Sequence, residues 1–308
     1  MARVMVTGAA GFIGSHLVDR LIADGHQVDA IDNLSVGSLS NLAQARSAGG
    51  LSFHKIDVRV PEFVDLVGHR KPDLIWHLAG HVDRPGSLHD PVFDADVNVL
   101  GTLNVLEAVR MHEIARIGLA VQGLFRRDSD VTGRTIVGQA PTMPSHIAVE
   151  AQVDYMRVHG DVYGLDCRVV ALSNVYGPRQ AATGNGPCVA SFVKRALAGE
   201  APVVHGDGKQ ARDFLHVRDA VDAIVKASDI DAGAIVAVGT GRLTRVLDVA
   251  KAVCELVDRE IEPAFGPARR LDRAGLAFPT DEAYRRLGWR PAVEVDEGLA
   301  ELVELARG

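Results

Sequence analysis

The chain predicts an α/β fold, a doubly wound parallel sheet with a smaller, interleaved C-terminal lobe. Short β-branched runs alternate with longer stretches of helical period, the pattern of βαβ units. A glycine-rich turn, Thr7-Gly8-Ala9-Ala10-Gly11-Phe12-Ile13-Gly14, lies between the first such run and the first helical stretch. After Asn174 the rhythm gives way to a proline- and glycine-rich run, Tyr176–Pro187, which suits a connection into a second lobe.

Each element follows in order. Arg3–Thr7 predicts the first strand, and Phe12–Asp24 a helix with Leu17, Leu21 and Ile22 inward. Gln27–Asp32, Leu51–Ile56 and Asp73–Leu78 predict the next three strands, the last placed after Pro72. Asp94–Met111 predicts a helix presenting Val97, Leu100, Asn104, Leu106 and Val109. Arg116–Val121 is the fifth strand, Ser145–Tyr163 a long helix and Cys167–Leu172 the sixth strand. Beyond these come a helix (Val189–Leu197), a short strand (Pro202–Val204) and the turn Gly206-Asp207-Gly208. Val217–Ala227 and Ile235–Val238 return to the sheet, while Leu247–Val257 and Asp281–Leu287 suit the smaller lobe. The expected division is therefore 1–175 with 213–240 as one unit, and 176–212 with 241–308 as the other.

Bulk properties narrow the function. The 308 residues carry a net charge of −7, with no basic run longer than Arg126-Arg127 or Arg269-Arg270, so nucleic acid is not an expected partner. Cys167, Cys188 and Cys254 form no CxxC pair and no metal-ligand spacing, so no metal is expected and a reduced, cytoplasmic setting is. No apolar stretch approaches membrane-spanning length.

The glycine turn carries the first chemistry. Gly8 allows a tight turn, Gly11 lets the backbone approach a pyrophosphate, and Gly14 lets helix and strand pack closely. Free N–H groups at the helix start would face the phosphates. Asp32 ends the second strand; a carboxylate there accepts from a ribose and repels a 2′-phosphate, favouring NAD over NADP. Neither Asn33 nor Leu34 offers an arginine for such a phosphate. Asp57, after the third strand, is placed to meet an adenine amino group. This half of the chain is Rossmann-type.

With that turn, Asp32-Asn33-Leu34, His77-Leu78-Ala79 and Asn174-Val175-Tyr176-Gly177-Pro178-Arg179, the chain resembles the extended short-chain dehydrogenase/reductases. Within that group it is similar to the nucleotide-sugar epimerases and dehydratases. Asp90-Pro91, Gly101-Thr102, Gly206–Phe214, Val238–Gly241 and Leu287–Pro291 fall in the same order, so the resemblance covers nearly the whole chain. It implies that Gly8, Gly11, Phe12, Ile13 and Gly14 wrap the NAD pyrophosphate and that Asp32, beside Asn33, holds the adenosine ribose. It places Asp57 and Val58 near the adenine, with Leu78, Ala79 and Gly80 lining the cofactor. Ser87, Asn174, Arg212 and Arg270 would meet a nucleotide-sugar, the arginines pairing with its phosphates through their bidentate forks. A surface ion pair is the plainer reading of Arg212-Asp213. The resemblance also implies a homodimer, formed by packing Asp94–Met111 and Ser145–Tyr163 into a four-helix bundle through Leu100, Leu103, Val153 and Met156.

One part of the family pattern is missing. Its proton transfer uses Tyr-x-x-x-Lys and a strand-end Ser or Thr, the lysine depressing the phenol pKa. By register these positions fall on Ser145, Val149 and Gln122. A serine hydroxyl is far harder to ionise, and valine supplies neither charge nor donor. A replacement is therefore needed if the chain is an enzyme. His81 lies just past the fourth strand, and imidazole titrates near neutral pH, with Asp83 near enough in sequence to orient it; a hydrogen-bonded structural histidine is the plainer reading. His146 and Glu150, at i and i+4, could form an acid–base couple, but helical geometry turns them about 100° away, so a solvent-side ion pair is the plainer expectation. The expected function is NAD-dependent modification of a nucleotide-sugar, of epimerase or dehydratase type, with a displaced acid–base. Two alternatives stand beside it: a catalytically silent nucleotide-sugar-binding protein, alone or as a heterodimer with an active homologue, and non-redox chemistry in the same pocket.

Overall fold

A computed structural model describes residues 1–123, 142–182, 187–257, 260–268 and 275–307; Arg270 and the Arg126-Arg127 pair fall outside them. Seven parallel strands form the central sheet: β1 (Arg3–Thr7), β2 (Gln27–Asp32), β3 (Leu51–Lys55), β4 (Leu74–His77), β5 (Arg116–Gln122), β6 (Asp166–Leu172) and β7 (Ile235–Val238). Their order is β7-β6-β5-β4-β1-β2-β3.

Alternation along each strand feeds two cores. Val4 and Val6 of β1 face one layer, where α1 (Phe12–Ala23) and the helix Val217–Lys226 contribute Leu17, Leu21, Ala220 and Ile224. Met5 faces the other, built with α2 (Gly101–Met111) and α3 (Pro144–Tyr163) through Val105, Leu106, Val153 and Met156. Helices on both faces make the strands nearly continuous apolar runs. Trp76 of β4 is fully buried against Gly118 of β5, where any Cβ would meet its ring. Its indole N–H donates to Ser228 Oγ at 3.2 Å.

The strand order reverses at β1. The chain runs outward through β2 and β3, then crosses to β4 on the other side, opening a crevice beyond the strand ends. Gly8 turns there with φ +69°, and a Cβ on it would sit 2.8 Å from the Ala79 nitrogen. The backbones at the ends of β1 and β4 thus approach as closely as glycine allows.

The C-terminal elements interleave with this sheet. Asn174–Tyr176 pairs parallel with Phe214–His216, Ala211–Arg212 antiparallel with Thr244–Arg245, and Val203–His205 parallel with Ala264–Gly266. Phe192, Val253, Leu299 and Val303 belong to a third core there. Asp213 ties the pieces together. Its fully buried carboxylate accepts from Thr240 N (2.8 Å), Thr240 Oγ1 (2.7 Å), Phe278 N (3.0 Å) and Gly241 N (3.1 Å). The surface ion pair considered for Arg212-Asp213 is therefore wrong, because Asp213 points inward to backbone donors.

Two helical expectations also change. The stretch starting at Pro91 contains a wide, π-type turn at Asp96–Leu100 before α2. The extra residue in that turn shifts the phase, so Asn98 is buried while Leu100 is 55% exposed. On α3, Val153 and Met156 pack into the subunit's own core and do not face outward.

Candidate functional site

The cofactor crevice is assembled from short, local pieces. Gly11 caps α1 without a side-chain hydrogen bond, leaving the first-turn N–H groups to an anion. A Cβ on Gly14 would strike the Gly8 carbonyl, so the close helix–strand packing requires glycine there. Phe12 and Ile13 start the helix beside them. Asp32 is buried at the end of β2; its Oδ2 accepts from Ala10 N at 2.9 Å and its Oδ1 from Leu34 N at 2.8 Å. Leu34 takes a left-handed conformation (φ 61°) to close that turn, a strained choice for a leucine. Asn33 donates to Asp57 Oδ2 at 2.8 Å.

Asp57 is also gripped by Arg59, at 2.9 Å from Nε and 2.7 Å from Nη2, which holds its carboxyl well below the usual range. Arg59 reaches Asp96 Oδ2 at 2.5 Å as well. Its charge is thus balanced by two carboxylates, leaving little to attract a 2′-phosphate. Val58 is buried beside them. These residues fit NAD: uncapped amides for the pyrophosphate, and a buried carboxylate with spare lone pairs for a ribose.

A buried relay joins the crevice to α3. Thr7 Oγ1 accepts from the Leu78 and Ala79 amides (3.3 and 3.2 Å) and donates to His77 Nδ1 (2.7 Å). Thr102 Oγ1 donates to the Asn98 carbonyl (2.6 Å) and accepts from Gln152 Nε2 (2.8 Å), so the remaining 3.0 Å contact has His77 Nε2–H as donor. Burial pushes the His77 pKa down to about 4, consistent with a neutral ring.

Leu78, Ala79 and Gly80 then border a cleft of about 80 Å³, closed opposite by Ser145, Val149 and Gln152 of α3. Gln122, at the exposed end of β5, also lines it. Gln122, Ser145 and Val149, far apart in sequence, therefore meet at one cleft. Ser145 is buried, and its Oγ has no hydrogen-bond partner; its N–H lies 3.4 Å from Ser87 Oγ. Ser87 is itself fully buried and donates to the Arg84 carbonyl at 2.7 Å.

His81 lies in the same cleft, but Asp83 does not orient it. Asp83 caps the short helix Arg84–His89 by accepting from Gly86 N at 3.0 Å. The partner is Asp94, 1% exposed, whose Oδ1 accepts from His81 Nδ1 at 2.9 Å. Asn98 clamps the His81 backbone from both sides, accepting its N–H at 2.8 Å and donating to its carbonyl at 3.1 Å. Phe93 packs edge-on against the ring at 5.3 Å. A carboxylate on Nδ1 leaves Nε2 as the ring's acceptor.

His146 also departs from expectation. It is buried and lines the cleft, with Thr142 N 3.3 Å from its Nδ1, rather than pairing with Glu150 in solvent. The first turn of α3 meets the short 84–89 helix through Ser145 and Ser87, and the face predicted to be outward is buried.

Asn174 and Arg212 sit at the start of the interleaved lobe, both half-buried. Asn174 receives the turn from Asp213, its amide donating to that carbonyl at 2.9 Å. Sequence reasoning missed Asp94, whose spacing of thirteen residues from His81 carries no local signal. It also missed Arg84, which lines the cleft and has its pKa lowered to about 10 by burial and by the nearby Arg212 charge.

The model of the NAD-dependent epimerase/dehydratase family matches residues 4–239. A UDP-glucose 4-epimerase of Mycolicibacterium smegmatis is 37% identical, over 99% of this chain and 98% of that one. The crystal structure of a Thermotoga maritima UDP-glucose 4-epimerase with UDP-glucose superposes with a TM-score of 0.91 at 32% identity, covering 99% and 98% of the two chains. A Thermus thermophilus UDP-glucose 4-epimerase in complex with NAD gives 0.89 at 32%, covering 99% of each.

Proposed function

Because the chain belongs to the NAD-dependent epimerase/dehydratase family, we propose that it modifies a nucleotide-sugar with His81 and Asp94 in place of tyrosine and lysine. The 2.9 Å contact between His81 Nδ1 and the buried Asp94 carboxylate carries this reading. NAD is the cofactor, and when bound it supplies a reversible hydride acceptor.

The chain's own residues do the rest. The α1 amides and Asp32 hold the dinucleotide, and Gly80 admits it close to the Asn98 clamp. His81 Nε2 would take the proton from a sugar hydroxyl, and Asp94 would stabilise the imidazolium that forms. Asn98 and Phe93 keep the ring from turning away. Asn174 and Arg212 hold the diphosphate, with Ser87 near the sugar. Residues 1–175 with 213–240 serve the cofactor, while 176–212 with 241–308 serve the sugar nucleotide.

His81→Gln and Asp94→Asn test the assignment. Each is expected to lower kcat by about 10²–10⁴-fold on the UDP-sugar that wild type turns over, with UDP affinity retained. Turnover at the wild-type rate in both variants would reject it. The silent-binding reading is favoured by one observation, that Ser145 and Val149 supply neither acid nor cation. Tight UDP-sugar binding without product across a broad panel, or co-purification with an active second subunit, is its signature.

The subunit is proposed to pair with a second copy through α2 and α3. Leu100, Ile147, Val158 and Val162 are exposed along these helices, as is Tyr163.

A further inference from the structure

Gln152 closes the buried relay, but only one end of its amide is used there. The residue lies on α3, 4% exposed, two turns past Ser145, and lines the cleft with Leu78, Ala79 and Gly80. Its Nε2 donates to Thr102 Oγ1 at 2.8 Å. Thr102 has a single hydroxyl proton and gives it to the Asn98 carbonyl at 2.6 Å, so it can only accept from Gln152. That fixes which way round the amide sits. The nitrogen is held by Thr102, and Oε1 is the end left for the cleft. This oxygen accepts no hydrogen bond among the described residues and is not fully enclosed. A largely buried carbonyl oxygen without a donor is costly, and a ligand that brings a donor relieves that cost.

Sheet topology says which part of a ligand arrives there. Asp32 ends β2, and the Asn33–Asp57 contact lies beside it after β3, all on one side of the glycine turn that follows β1. The cleft lies on the other side, at the ends of β4 and β5. A dinucleotide whose pyrophosphate crosses at the glycine turn, with its adenosine on the β2 side, lays its second nucleoside over β4. In NAD that half is the nicotinamide riboside, whose ribose hydroxyls and carboxamide N–H groups are donors. The anchorage of Gln152 suits this. Thr102 also accepts from His77 Nε2 at 3.0 Å, and His77 Nδ1 meets Thr7 Oγ1 at 2.7 Å. Thr7 immediately precedes Gly8, so one chain of hydrogen bonds runs from the pyrophosphate turn to Gln152 and sets the oxygen's place relative to that turn.

We propose that Gln152 Oε1 accepts a hydrogen bond from the nicotinamide riboside of NAD, so that α3 contributes a neutral residue to positioning the cofactor. This rests on the cofactor placement given above. One neutral contact of this kind is expected to change affinity about three- to tenfold.

Calorimetric titration of the full chain with ADP, ADP-ribose and NAD tests it, in wild type and in Gln152→Met, which keeps the side-chain length and removes the acceptor. The variant is expected to bind NAD about three- to tenfold more weakly, with ADP affinity unchanged within about twofold. A parallel loss for ADP-ribose assigns the contact to the ribose, and a loss for NAD alone assigns it to the carboxamide. Unchanged NAD affinity overturns the proposal. So does an equal loss for all three ligands, since the variant would then act by loosening the Thr102 network. If Gln152→Met does not fold, a crystal structure of the wild-type chain with NAD decides the case. Gln152 Oε1 within hydrogen-bond distance of a riboside donor supports the contact, and a longer separation from every such donor overturns it. Failure of wild type to bind either ADP or NAD would overturn the cofactor placement itself, which separates the two failures.

Discussion

His77 shows how much a single buried side chain contributes to both halves of the site. Its neutral ring completes the relay from Thr7 to Thr102 and Gln152, and protonating it would put a charge into a fully buried position. The folded pKa of about 4 lies below the ordinary imidazole value of 6.5, so the unfolded chain binds a proton that the native one refuses. This contribution to stability is complete above about pH 6.5 and is lost as pH falls toward 4. Between pH 7 and pH 5 it amounts to about 2 kcal/mol. His77→Gln, which keeps a donor and an acceptor but does not titrate, is expected to flatten that part of the profile. Urea unfolding at pH 7 and pH 5 measures it, and parallel losses in both proteins would assign the acid sensitivity elsewhere. At this scale the sequence was legible where function needs one residue type at one spacing, as at Gly8, Gly14 and Asp32. It was silent on Asp94 behind His81, because a side-chain contact across thirteen residues depends on how the intervening helices pack.

At the scale of elements, periodicity located the strands and helices but misjudged which faces stay open. A helical wheel assumes 3.6 residues per turn, and the π-type turn at Asp96–Leu100 breaks that assumption one turn before α2. Val153 and Met156 looked suited to a bundle interface, yet they face the sheet; Leu100, Val158 and Val162 face outward instead. The dimer prediction is therefore argued on these exposed residues. Leu100→Glu with Val162→Glu is expected to yield a folded monomer, since both side chains are more than half exposed in the subunit. Light scattering after size exclusion reads the mass, and a persistent dimer would place the contact on another face. The same correction applies to His146: α3 alone points it to solvent, but the fold buries it against the cleft.

For the whole molecule, the decisive element is the way the second lobe is threaded through the first. Asp213 closes that thread, since its carboxylate draws in backbone or hydroxyl donors from Thr240, Gly241 and Phe278, while its own backbone carbonyl meets Asn174. Asp213→Asn would point an amide donor at part of this ring of donors. The expected loss is about 2–4 kcal/mol, seen as a lower thermal midpoint with NAD absent. An unchanged midpoint would show that the lobes are held by their apolar cores alone. The seven-stranded sheet and its reversal at β1 position the crevice through strand pairings that do not involve Asp213.

The amino-acid sequence by itself determined the fold class and the glycine turn after the first strand, because each depends on periodicity or on glycines a few positions apart. The chain also carries Ser145 and Val149 where the resemblance leads one to expect a tyrosine and a lysine. Only the tertiary structure decided what surrounds these residues. The cleft brings together the segments 78–84, 119–122 and 145–152, so its lining exists only once distant parts of the chain converge, and His81 meets Asp94 only once the helices between them pack.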